Sequence, residues 1–360
     1  MVRSFLRIDP PPTPMTDPMT DPMTDLALSS PRSVLVYVGG DLVGDAVMKL
    51  PFVRALRAAC PNAAITWCAG KHKSAFADVL RPLTGKLIDE VIEEAGFDRP
   101  LSCLLRRPLA GRHFDWVIDT QRGVPVSFLI RRIRHGLFIS GSAEFLLSDR
   151  KPAKGYRRPA SMVAQMLDLL ALASGEAPQP DAPLLIDPAT VVQAAAALPR
   201  GPDGPVYIGL APGAGGRNKC WPLENYVALA QDQAGKGRCP VFILGPAESD
   251  WAPRLKDAVP GALFPTLTEG TAAPSVEYSV ALGARLAAAV ANDAGSGHIL
   301  AASDVPLVSL FGPTPAAKFA PAARIARVIE AQDFGSDEMA AIPLDVVVTA
   351  VDELVSGPNP

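Results

Sequence analysis

Cysteine is scarce: the 360-residue chain has five, Cys60, Cys68, Cys103, Cys220 and Cys239, odd in number and with no CxxC pair. That excludes a disulfide framework and a thiolate zinc site and favours a reducing compartment, so a cytoplasmic protein is expected. No apolar run reaches the roughly eighteen residues of a membrane helix. The opening MVRSFLRIDPPPTP meets proline before a signal-type apolar segment builds. Neither sign of charge dominates. Lys and Arg number 34 and Asp and Glu 37, a net charge of −3, and nucleic acid is not among the expected partners. Asp-x-Asp is absent and the loops described below hold no carboxylate cluster, so neither a metal nor a cofactor is expected.

What is present is an alternation of strands and helices. SVLVYV (33–38) is a β-branched run suited to a buried strand, GGDLVGD (39–45) a loop, and AVMKLPFVRALRAACP (46–61) a helix by its 3.6-residue spacing, apart from Pro51. AAITWCA (63–69), LIDEVIE (87–93) and DWVIDT (115–120) continue the series. Seven prolines within 176–205 mark a linker containing one helix. A second series follows at 206–213, 239–245, 263–268, 288–293 and 307–313, and PLDVVVTAVDELV (343–355) reads as a closing helix. The fold class is therefore α/β, with two parallel-sheet halves facing a cleft. The expected division is a disordered tail at 1–30, containing the thrice-repeated PMTD, one half at 31–180, a linker at 181–205, a second half at 206–335 and a terminal helix at 336–360.

In such sheets ligands sit beyond the carboxyl ends of the strands. The loop after the first strand lacks the GxGxxG of a dinucleotide site, which argues against a nicotinamide enzyme. It offers Asp45 at a helix start, either a capping residue or a catalytic carboxylate. APGAGGRNKCWP (211–222) brings glycines, Gly213 among them, with Arg217 and Lys219. Cys220 after the lysine breaks the Walker pattern, so this is an anion loop of another kind or a plain glycine turn. In GPAESD (245–250), Glu248 can cap a helix or hold ribose hydroxyls. ANDAGSGHILAAS (291–303) sets Asp293, Ala294, Gly295 and His298 at a strand–helix junction whose first N–H groups attract phosphate. Together these loops describe a site for a diphosphate-containing ligand.

Residues 101–160 carry twelve basic side chains against four acidic ones. Arg131, Arg132 and Arg134 are the centre of this stretch. They are either solvated helix faces or a surface that attracts an anionic partner.

In order and spacing, VLVYVGGDLVGDAVMKLPFVRALRAACPNAAIT, FDWVIDTQRG, IGLAPGAGGRNKCWPLENYVALA, VFILGPAESD and ANDAGSGHILAASDVPLVSLFGPT resemble the bacterial ADP-heptose:lipopolysaccharide heptosyltransferases, glycosyltransferase family 9. The likeness runs from about residue 33 to 330. It implies the GT-B fold, two Rossmann-like domains across a cleft, and inverting transfer of heptose from ADP-heptose without a metal. By the same resemblance Asp45 is the base, Lys219 the phosphate-binding lysine and Glu248 the nucleoside-side glutamate. Gly213, Asp293, Ala294, Gly295 and His298 belong to the donor loops. The implied partners are a nucleotide-sugar donor and an anionic glycolipid acceptor, with peripheral contact at the inner membrane. Two positions depart from the family pattern: Gly39 stands where members carry Arg or Lys, and Ala294 where they carry Ser or Thr. Another nucleotide sugar, a protein acceptor, or a nucleotide-sugar-binding protein without catalysis remain open alternatives.

Overall fold

Ser33–Val38 (β1) is extended because its β-branched residues pack well on a pleated surface. It pairs in parallel with Ala64–Ala69 (β2) on one side and His113–Asp119 (β4) on the other, so Val34 faces both Ile65 and Trp116 across the ladders. Glu90–Ile92 (β3) and Arg134–Ser140 (β5) complete a sheet ordered β3-β2-β1-β4-β5. A second parallel sheet contains Tyr207–Ala211 (β6), Cys239–Phe242 (β7), Ala288–Asn292 (β8), Leu307–Phe311 (β9) and Ala326–Glu330 (β10), in the order β10-β9-β8-β6-β7. These strands come from a computed structural model that describes residues 30–97, 107–267 and 275–357. Of the expected 1–30 tail only Ser30 falls among the described residues, and Cys103 lies outside them.

Every strand runs parallel to its neighbours, so each sheet needs helices on both faces. The expected single helix at 46–61 is instead two, Val43–Met48 (α1) and Leu50–Ala59 (α2). The break falls at Lys49 because Pro51 has no N–H to donate and is tolerated only in the first turn of a helix. The helix Met162–Ser174, capped by Ser161 and closed by left-handed Gly175, packs Met166, Leu169 and Leu170 into the first core.

Pro188–Ala197 supplies the helix expected within the proline-rich stretch, and it is packed. Ala194 and Leu198 are buried with Tyr207 and Leu282 on one face of the second sheet. Likewise Leu344–Ser356 is a packed helix, with Val347 and Val351 buried in the core it forms against β8 and β9. Arg54 of α2 spans the two halves. It donates to the carbonyls of Asp181 (2.8 Å) and Ala182 and lies 3.7 Å from Asp304, and burial lowers its pKa.

Three further features differ from the pattern-based reading. β5 and β10 were not evident, because RHGLFIS opens on charged residues and ARVIE alternates without a fully buried run. The apolar segment at 263–268 forms no strand in its described part; it meets β7 through a bridge from Leu263 to Val241 and the stacking of Phe264 on Phe242, and Thr266 accepts from the Leu244 N–H (2.9 Å).

At the carboxyl end of β2, Gly70 donates to the Val38 carbonyl (2.9 Å) and leaves no room for a side chain. A Cβ there would lie 2.1 Å from the hydroxyl of the buried Tyr37. Gly70→Ala is therefore expected to displace the Tyr37 ring and cost about 1–3 kcal/mol, as overpacked cores do. Urea unfolding measures this, and an unchanged midpoint would mean that the ring moves freely.

Candidate active site

The carboxyl ends of β1, β2, β4 and β5 open on a cavity of about 690 Å³, walled by Gly39 and Gly40, Lys71 and His72, Gln121 and Arg122, and Gly141. Each lies within three residues of a strand end, so sheet order brings them together. The loop after β1 is fixed by Asp41, whose buried carboxylate pairs with Lys49 and accepts from Trp67 Nε1 (2.7 Å) and Ser74 Oγ (3.2 Å). Thus Asp41 and Lys49 neutralise one another inside the wall.

Asp45, four residues on, is exposed on the same wall, and no ion pair or hydrogen bond engages its side chain among the described residues. The capping explanation for this residue does not hold. Leu42 occupies the N-cap of α1, and no side chain caps the helix.

The far wall is built on strain. Ala143, Glu144 and Phe145 have φ of 46°, 51° and 63°, three successive left-handed residues with side chains, a conformation that persists only where its surroundings over-determine it. Arg158 supplies much of that determination. Its guanidinium donates to the Gly141 carbonyl (2.8 Å), pairs with Glu144 (3.2 Å) and lies over the Phe145 ring. Tyr156 packs edge-on against Phe145 and donates to Asp168 (2.6 Å). Lys318, from the short helix Ala316–Phe319 that follows β9 in the other half, also lines this cavity. The cavity therefore gathers Lys71, Arg122, Arg158 and Lys318 around one unpaired carboxylate, an arrangement suited to an anionic substrate with a hydroxyl to deprotonate.

Sequence reasoning did not single out these four by number, although Arg122 and Arg158 belong to the basic stretch 101–160. For Lys71 and Arg122 the further signal is position, within three residues of the ends of β2 and β4. By contrast Arg131, Arg132 and Arg134 do not reach the cavity. The helix Val124–Arg131 ends there and β5 begins, a strand of seven residues that carries the chain roughly 20 Å before it reaches Gly141. Arg131 is tied into the fold, bonded to the Leu147 carbonyl and to Asp149 (2.6 Å) and set over the Phe138 ring. Arg132 is half-buried and its carbonyl accepts from Arg107, while Arg134 is exposed.

In the second half the predicted donor residues meet at the ends of β6, β7 and β8. Lys219 Nζ donates to Asp293 Oδ2 (2.8 Å), which also accepts from Thr314. One carboxylate thus holds two loops, and at least two of the three ammonium donors remain for a ligand. Glu248 accepts from the Gly245 N–H (3.0 Å), and its carboxyl lies where a Cβ on Gly213 would come within 2.5 Å, so a side chain at 213 would displace the Glu248 carboxyl. Capping and ligand readings of Glu248 are therefore compatible, because one of its oxygens satisfies the helix start.

Ala294 is the N-cap of the helix Gly295–Ala302 and offers no side-chain acceptor, so the helix start is left uncapped. Ser296 Oγ, in that first turn, is one of two buried side-chain polar atoms without a partner among the described residues. His298 is held neutral. Burial pushes its pKa down to about 4, with Asp293 pulling the other way, so it offers an N–H and not a charge. It lies in the gap between its helix and α1–α2, beside Met48, Pro51 and Arg54.

Two polar knots therefore face each other, and the helix starts join them. A Cβ on Gly295 would sit 3.5 Å from the Gly44 Cα, adjacent to Asp45. What fixes the second knot is a residue the sequence did not single out. Asn292, buried at the end of β8, donates to the Pro212 carbonyl (2.7 Å) and accepts from the Trp221 N–H and the Tyr226 hydroxyl (3.1 Å each). It closes the loop that carries Lys219. Asn292→Ala should take a partner from each of those three groups, cost about 1–3 kcal/mol for each one that water cannot reach, and loosen Lys219. Thermal unfolding together with nucleotide titration tests this: both midpoint and affinity should fall, and a variant that keeps both would remove Asn292 from this role.

Residues 103–340 match the family Glycosyltransferase family 9 (heptosyltransferase). A curated relative, lipooligosaccharide heptosyltransferase 2 of Haemophilus influenzae, is 26% identical over 302 residues, covering 78% of this chain and 83% of the relative. Among solved structures, a glycosyl transferase of family 9 from Veillonella parvula aligns over 90% of this chain and 97% of its own, with 20% identity and a TM-score of 0.66. The E. coli heptosyltransferase WaaC, solved with ADP, aligns over 89% and 99%, with 20% identity and a TM-score of 0.61. These likenesses establish the two-sheet GT-B architecture.

Proposed function

Because the chain belongs to glycosyltransferase family 9 (heptosyltransferase), we propose that it transfers heptose from ADP-heptose to an anionic sugar of a lipopolysaccharide-type glycolipid. In this reading residues 31–180 bind the acceptor and 206–335 the donor. The enzyme works at the cytoplasmic face of the inner membrane, with inversion at the anomeric carbon and without a metal. The observation that carries it is Asp45, an exposed and unpaired carboxylate on the wall of a cationic cavity, one residue from the point where the helix start of the donor half approaches.

In the step proposed, the acceptor hydroxyl attacks the anomeric carbon as Asp45 takes its proton. The bond from that carbon to the diphosphate oxygen breaks, and ADP leaves with the electron pair. Lys219, the N–H groups of Gly295 and Ser296 and the neutral His298 meet the charge that develops on the leaving group. Glu248 and Gly213 line the nucleoside side. ADP in the WaaC structure supports a nucleotide donor of this kind. Lys71, Arg122, Arg158 and Lys318 would hold an anionic acceptor.

Asp45→Asn should lower kcat by about 10²–10⁴-fold while donor affinity, read by calorimetry, stays unchanged. Wild-type turnover by this variant would remove Asp45 as the base. Lys219→Ala should do the reverse on the donor side, weakening ADP binding by about 10–100-fold, the scale of a hydrogen bond to a charged group. Unchanged ADP affinity would show that Lys219 serves only to hold Asp293.

A further inference from the structure

Apolar side chains rarely stand free in a cluster on a soluble protein unless something covers them. Three such side chains lie together beside the mouth of the cavity: Val124 is 48% exposed, Phe128 53% and Leu146 69%. Val124 and Phe128 stand one turn apart on the outer face of the helix Val124–Arg131, whose inner face buries Ser127, Leu129 and Ile130. Pro125, between them, is exposed as well. Leu146 follows the left-handed turn against which this helix packs. The neighbours of these residues in sequence, Gly123 and Phe145, line the cavity, so the apolar cluster forms one side of its rim.

Charge says what covers it. The stretch 101–160, which carries the cluster, has twelve basic residues against four acidic ones in a chain whose net charge is −3. Arg122 is exposed at the rim, and Arg132 lies one further turn along the same helix face as Val124 and Phe128. Apolar side chains set among cations, on a chain that is otherwise acidic, match an anionic lipid surface better than a second copy of the same basic patch. The helix is eight residues long, suited to lying in the interface and too short to cross it.

We propose that Val124, Phe128 and Leu146 insert into an anionic bilayer and seat the cavity mouth at the lipid surface. This rests on the reading of the acceptor as a lipid-anchored glycan, since a soluble acceptor would need no such seat. It also gives the residues of the basic stretch that do not line the cavity a role of their own: they draw the rim to the membrane, while Lys71, Arg122, Arg158 and Lys318 hold the substrate.

The test is flotation of the full chain with phosphatidylglycerol-containing vesicles, without donor or acceptor present, so its outcome is independent of whether transfer occurs. Replacing Val124, Phe128 and Leu146 together by serine should weaken flotation at least about tenfold, given the apolar area withdrawn. Wild-type chain should float less on pure phosphatidylcholine vesicles. Phe128→Trp reports on the same point without removing apolar area, and the emission of its new indole should shift to the blue with anionic vesicles only. Flotation of the serine variant equal to wild type overturns the proposal, as does an indole emission that ignores the vesicles. A serine variant whose only change is the loss of a dimer in sedimentation also overturns it, in favour of a second copy. Turnover on a delipidated acceptor fragment tests the transfer reading separately and should be the same for wild type and the serine variant.

Discussion

The buried amide of Asn292 is the interaction on which the second half of the site depends. An amide offers two donors and an acceptor with two lone pairs. Here the acceptor takes Trp221 and Tyr226 while a donor reaches Pro212. Those three groups lie on the loop after β6 or the helix that follows it, and Asn292 ends β8, so one side chain sets the distance between two strand ends. Asp293, next in the chain, faces the opposite way and binds Lys219 and Thr314. Alternation along an extended strand therefore gives consecutive residues different tasks. One is satisfied inward and fixes the loops, and the next is half-buried at the mouth.

The first half solves the same problem with charge. Asp41 is buried and takes three partners from α1–α2, β2 and the turn after it. Without Lys49 and the indole it would be an uncompensated buried carboxylate, which is costly. The two aspartates of GGDLVGD are thus unlike. Asp41 is fully occupied by the fold, and Asp45 is left exposed because the helix that bears it starts on Leu42, which has nothing to cap with. A loop held rigid by the first leaves the second a defined place on the cavity wall.

Much of this was legible in the residues. Runs such as SVLVYV and AAVAN are buried on both faces and read as strands without ambiguity. The glycine, lysine and histidine loops stood out because polar groups interrupt apolar runs. β5 and β10 were hidden because exposed edge positions dilute the apolar signal. The Asp41 and Asn292 knots were hidden for a different reason, as their partners come from distant parts of the chain and only sheet order brings them together. Charge density was a partial guide. Of the twelve cations in sixty residues, Arg122 and Arg158 line the cavity and Arg131, Arg132 and Arg134 do not, because in a parallel sheet the end of the strand decides what a side chain meets.

The same geometry bears on Gly39, where the family pattern that this sequence resembles has a basic residue. A Cβ at this position would lie 3.0 Å from the Gln121 amide oxygen, so the side chain from β4 fills the space that one from β1 would take. Gln121 is itself held by Asp119, whose carboxylate accepts its N–H (2.9 Å) and the Ser140 hydroxyl (2.9 Å). Burial raises the Asp119 pKa to about 6, so this anchor is ionised, and accepts both bonds fully, only above that pH. Arg122, next in the chain to Gln121, and Lys71, after β2, lie on the same wall. This end of the cavity therefore draws its positive charge from the loops after β2 and β4, and the loop after β1 contributes its carboxylates.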